Sequence, residues 1–164
     1  MSGNVRELTE ILTRETELTA KLLDLAKDAR AAVVAADPEL LADIVAEQEE
    51  WAARLEVAES RRIQVVRELG SDLGIGEEPR LKAIVERLPQ EEGLKLRSLG
   101  RRLKGAADEL RRAGERNGSL LEEAVAHVDG FFKLLARVCR GSAGYQADGR
   151  EAGGRPAAVL DHQG

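Results

Sequence analysis

The sequence predicts an all-α protein: an elongated antiparallel helical bundle or coiled coil of three long helices plus one short helix, with a flexible C-terminal tail. Three observations predict it. Leu, Ala, Glu and Arg dominate, 34% of residues are charged and only 2% are aromatic, a composition that suits long helices and leaves sheets short of β-branched and aromatic residues. Apolar residues recur in alternating steps of three and four through most of the chain. Pro and Gly collect at a few points and divide that pattern into separate stretches. A chain of 164 residues fits one core. The expected organisation is a helical domain over 1–140 and a flexible Gly-rich tail over 141–164.

The first helix carries the stripe Leu8, Ile11, Leu18, Leu22, Leu25, Ala29, Ala32 and Ala36, interrupted once by Glu15. It stops at "ADPEL". There Asp37 suits the N-cap of a second helix, Pro38 its first position, and Glu39 its electropositive start. The second stripe is Leu41, Ile44, Trp51, Leu55, Ala58, Val65 and Leu69, with polar Gln48 and Arg62 in step, and it ends at "LGSDLGIG". So short a turn makes the first two helices antiparallel neighbours. Glu15, Gln48 and Arg62 then read as polar contacts between helices. "EEPRLKAIVERLPQ" predicts a small helix of about three turns, bounded by Pro79 and Pro89.

After Pro89 the period is most regular: Leu96, Leu99, Leu103, Ala106, Leu110, Ala113, Asn117, Leu120, Ala124, His127, Phe131, Leu134 and Val138. If continuous, residues 90–140 form a helix of roughly 75 Å, against about 48 Å for each of the first two. "RNGSLLEE" offers an alternative, because Asn-Gly signals a turn and Ser119 with Glu122 has capping-box spacing. The unbroken phase across Asn117 argues for continuity. Beyond Arg140 the period ends, and six glycines fall in the last 24 residues.

Net charge is −5 and unevenly placed. Residues 1–60 carry six basic against fourteen acidic side chains, and residues 91–116 eight basic against five acidic. Attraction between these segments within the bundle is the expected use of the asymmetry, ahead of nucleic acid, since "LRSLGRRLKGAADELRR" has no interleaved aromatics. No apolar run is long enough to cross a membrane, and no secretory signal opens the chain, so the expectation is a cytoplasmic protein without membrane insertion. Cys139 is single and sits on the apolar arc like a small buried thiol. His127 has no companion ligands at metal spacing. Nothing has the form of a phosphate loop or a nucleophile–base pair, so no catalytic, cofactor or metal site is expected and the protein is read as no enzyme.

The last helix changes character part-way. With the stripe as a and d positions, the flanking e and b positions over 96–114 are Gly100, Ala107, Gly114 and Arg97, Lys104, Arg111. From residue 117 onward they become Leu121, Val128, Leu135 and Gly118, Val125, Phe132, Cys139, an apolar arc of more than about 160°. Two shorter sibling helices do not cover so wide a face. Leu121, Val125, Val128, Phe132 and Leu135 are therefore the candidate groove for an amphipathic helix of a partner. A structural coiled coil that self-associates through the same arc, a possible homodimer, is the alternative.

In layout the chain resembles the FlgN-like flagellar export chaperones. The likeness rests on "LTEILTRETELTAKLLDLA", on "DPELLADIVAEQEEWAARLEVAESRR", on "RNGSLLEEAVAHVDGFFKLL" in the last helix, and on a tail with "GYQADG" followed by "VLDHQ". The tail is richer in Gly and Ala than the family's commoner polar versions. The resemblance implies a cytoplasmic, non-enzymatic chaperone for type III flagellar export. Such a protein binds the C-terminal helical segments of the hook-filament junction (hook-associated) proteins, prevents early assembly, and delivers them to the export gate. By position it carries substrate contact onto Asn117, Leu120, Leu121 and Phe131, and gate docking onto Tyr145. Val159 and Leu160 belong to the closing aliphatic element, which a partner would order on binding.

Overall fold

The computed structural model describes the backbone of residues 2–151, and side chains for residues 3–126 with a few positions beyond. Four helices follow in order: α1 (Ser2–Val34), α2 (Pro38–Asp72), α3 (Leu81–Val85) and α4 (Gln90–Glu151). Among the described residues there is no strand. The chain divides into two compact units, Met1–Leu121 and Glu122–Gly164. The first holds α1, α2, α3 and the beginning of α4; the second is described only along α4.

The turn between α1 and α2 forms as the sequence predicts. Ala36 adopts a left-handed φ of 52°. Asp37 N donates to Ala32 O at 3.0 Å and Ala36 N to Val33 O at 3.1 Å, the paired bonds that close a helix C-terminus. The same Asp37 then caps α2, its Oδ1 accepting from Leu40 N at 3.0 Å, with Pro38 in the first turn. One aspartate ends one helix and starts the next, which turns α2 back along α1. At the far end of α2 the motif recurs with Gly74 (φ 65°) in the left-handed position, Ile75 N donating to Gly70 O at 2.9 Å and Gly74 N to Ser71 O at 3.1 Å. Gly70 is itself required there, because a Cβ would run into the backbone oxygen of Gly76 and the ring of Pro79.

The main core gathers one end of the bundle: Val5, Leu8 and Leu12 of α1, Val65 and Leu69 of α2, Ile84 and Val85 of α3, and Leu96 and Leu99 of α4. Here the buried α1 residue is Leu12 and the predicted Ile11 is half-buried, since α1 packs against two helices and its contact arc is wider than one stripe. A smaller core at the α1–α2 turn holds Leu25, Ala29, Ala32 and Ile44, with Leu41 and Trp51 against it. Between the two lies a polar layer, where Arg62 Nε donates to Glu15 Oε1 at 3.0 Å. Glu15 and Arg62 thus form the expected contact between helices.

Two expectations change. The small helix is five residues long, not three turns. Arg80 is extended and gives no side-chain cap, and Pro89 bars Leu88 from the helical region. The attraction expected between the basic stretch of α4 and the acidic first helices is also not made as ion pairs. Among the described residues, the pairs between helices are Lys21–Glu47, Arg61–Glu7 and Arg62–Glu15, all between α1 and α2. The seam positions of α4 from Leu96 to Leu120 are apolar but for Asn117, and its cations over 91–116 lie off the seam, at b, c, f and g positions.

The continuous form of the last helix is the one observed: helical backbone runs through Asn117, Gly118 and Ser119. Segment 141–164, expected as a tail, is described only in its backbone to Glu151.

Candidate protein-binding groove

In the first unit, near the α1–α2 turn, short side chains prevent the helices from closing on one another. The inner face of α1 there is Ala26, Ala29 and Ala32, and α4 presents Gly114, at which a Cβ would meet nothing within 4 Å. Helix axes sit some 8–10 Å apart as their contact residues dictate, and alanine opposite glycine leaves that gap unfilled. The result is a groove of about 300 Å³. Its walls are Ala29 and Val33 of α1, Leu41 and Val45 of α2, and Leu110, Leu120 and Leu121 of α4. Val45 and Leu121 are 41% and 40% exposed, so apolar surface faces outward from both sides.

Polar contacts hold the walls in place. Asn117 Nδ2 donates to Ala26 O at 2.7 Å, and that carbonyl keeps a second lone pair for its own helix. Asn117 therefore ties α4 to α1 at the groove edge and fixes their register, as a lone seam asparagine does in coiled coils. On the α1–α2 side, Lys21 Nζ lies 3.2 Å from Glu47 Oε1, and Trp51 Nε1 donates to the same oxygen at 3.3 Å. The Lys21 and Trp51 hydrogen bonds hold the Glu47 carboxyl below its ordinary value. Lys21 and Arg54 stand 5.6 and 4.5 Å from the Trp51 ring, in range for cation–π attraction. The arrangement offers an apolar trough with polar ties at its edges.

Residues 1–153 match the family described as FlgN protein. The chain belongs to the FlgN family. This is a family of flagellar chaperones and not of enzymes. No curated protein and no solved structure matches the chain. Among the described residues no helix is long and apolar enough to cross a membrane.

In this FlgN-family chain the fold brings together three of the residues singled out in the sequence, Asn117, Leu120 and Leu121, on one groove. Val125 and Leu134, on the part of α4 in the second unit, are 66% and 59% exposed. The backbones of Val128, Phe131, Phe132, Leu135 and Tyr145 lie within α4, but their side chains, with those of His127 and Cys139, lie outside the described residues, as do Val159 and Leu160 altogether. Sequence reasoning missed the opposite walls, above all Val33 and Val45. Their signal was present in the Ala-rich run "ARAAVVAA", too small to fill a three-helix layer, and in two valines standing off the stripes.

Proposed function

We propose that this FlgN-family protein is a type III flagellar export chaperone of the cytoplasm. It holds the C-terminal helical segment of a hook-filament junction protein, keeps that segment from assembling early, and delivers it to the export gate. The groove beside Gly114 is the observation that carries this reading: an apolar trough between helices accepts an amphipathic helix through anchors at i, i+3 and i+4. The exposed Val125 and Leu134 add apolar surface further along α4. Val128, Phe131, Phe132 and Leu135 join the client surface on the family resemblance and the heptad pattern; on the resemblance alone Tyr145 serves gate docking, and Val159 and Leu160 form a closing aliphatic element that a partner orders on binding.

Gly114→Leu tests the groove directly. The new side chain occupies the trough, while replacing a helix-interior glycine improves helix propensity by up to about 1 kcal/mol, so the fold is retained. Co-purification of a hook-associated client should fall about tenfold or more with helicity by circular dichroism unchanged, and Val128→Glu with Phe132→Glu should have the same effect. A client retained at full affinity by Gly114→Leu removes the groove from the reading. Light scattering across a dilution series supplies a second check, because a stable dimer closing this groove would leave the client no place.

A further inference from the structure

A second surface lies at the other end of the first unit, where α3 leans on α4, and it is built differently. A pocket of about 470 Å³ opens between them. Its floor is apolar, made of Leu81, Val85 and the bare backbone at Gly100. Glycine is what keeps this floor shallow, because a Cβ there would run into Leu81 Cδ2. The rim is cationic, with Lys82 on α3 and Arg97, Arg101 and Lys104 on α4. The last three are spaced i, i+4, i+7, so they share one helical face and span about 10 Å along it.

Lys82 has a carboxylate nearby, Glu86 at 3.9 Å. Arg97, Arg101 and Lys104 have neither an ion pair nor a hydrogen bond among the described residues. The acidic α1 and α2 do not neutralise them, for the cross-helix pairs there are made between those two helices. Like charges at helical i, i+4 spacing repel. A protein that leaves three of them unpaired around an apolar floor has a surface complementary to negative charge and grease together.

We infer that this α3–α4 surface is a second docking site, one that takes an acidic amphipathic helix of a partner protein, independently of the groove beside Gly114. Aliphatic side chains of the partner cover Leu81 and Val85, and carboxylates flanking them meet Arg97, Arg101, Lys104 and Lys82. A nucleic acid fits less well, because no aromatic ring lines the pocket to stack a base.

The test uses the full chain and a fluorescein-labelled helical peptide carrying two leucines flanked by four glutamates. Controls are the same peptide with glutamine for glutamate, the same with alanine for leucine, and a single-stranded oligonucleotide. The acidic leucine peptide should bind. Its affinity should fall about tenfold in Arg97→Glu/Arg101→Glu/Lys104→Glu, the combined effect expected of several exposed charge pairs, with circular dichroism unchanged. It should weaken as salt rises from 0.1 to 1 M, over which the Debye length shrinks from about 10 to about 3 Å. Gly114→Leu should leave it untouched, which separates this site from the client groove. Equal binding of the alanine-for-leucine peptide, tighter binding of the oligonucleotide, or indifference to the triple charge reversal would each overturn the inference.

Discussion

Glu15 shows at single-residue scale how a break in the apolar pattern is accommodated. It is 2% exposed, paired through one oxygen to Arg62, and its other carboxylate oxygen is buried without a partner. Burial pushes its pKa up, and the Arg62 hydrogen bond and charge recover only part of that shift. A carboxyl with a higher pKa folded than unfolded holds its proton more tightly in the native state. It therefore contributes stability below the ordinary glutamate value and loses that contribution as pH rises through the raised folded value. Glu15→Gln has no such titration. The stability of the variant relative to the parent should thus improve from about pH 4 to about pH 7, read as urea midpoints at both values. A difference that is the same at both would mean the buried carboxylate costs the native state nothing. Asn117 teaches a related lesson, since a polar seam residue that the family resemblance assigns to substrate contact is held by a backbone carbonyl of α1.

At the scale of elements, the two ends of the α1–α2 hairpin use one motif with different residues. α2 closes on Gly74 and α1 on Ala36, both left-handed. An alanine there brings its Cβ against the following carbonyl, a strain glycine does not have. Ala36→Gly should therefore raise stability by about 0.5 to 1 kcal/mol once the added unfolded-state entropy is counted. Equilibrium urea unfolding is the measurement, and a loss of stability would show that Ala36 is not strained. These elements were largely legible in the sequence because their signals are local: "ADPEL" specifies cap, proline and turn together, and the three-four period locates every seam position of α4 from Leu96 to Leu120. The length of α3 was not legible. "EEPRLKAIVERLPQ" has helical composition, but its extent is limited by the extended Arg80 and by Pro89. The groove was half legible, since a widened arc on one helix is visible in one stripe, whereas a gap between three helices depends on how Ala29, Leu41 and Gly114 face each other.

Across the first unit, stability is distributed unevenly, and the distribution places the groove. The core that joins all four helices contains nine buried apolar residues, from Val5 to Leu99, eight of them Leu or Val. The core beside the α1–α2 turn contains four, two of which are alanines. Each fully buried Leu or Val side chain contributes about 1.5 to 3 kcal/mol relative to exposure, and alanine much less. Local opening should accordingly be cheaper at the Ala-rich end, as binding surfaces commonly are. In hydrogen exchange the amides of Val65, Leu69, Leu96 and Leu99 should exchange last, and those of Ile44, Leu110 and Ala113 distinctly earlier. A client helix lying in the groove supplies the apolar contacts this end lacks, so its addition should slow the second set and leave the first nearly unchanged. Uniform protection in the free protein would contradict the uneven core. Client-dependent slowing confined to Leu96 and Leu99 would move the client to the α3–α4 end, where the unpaired cations stand.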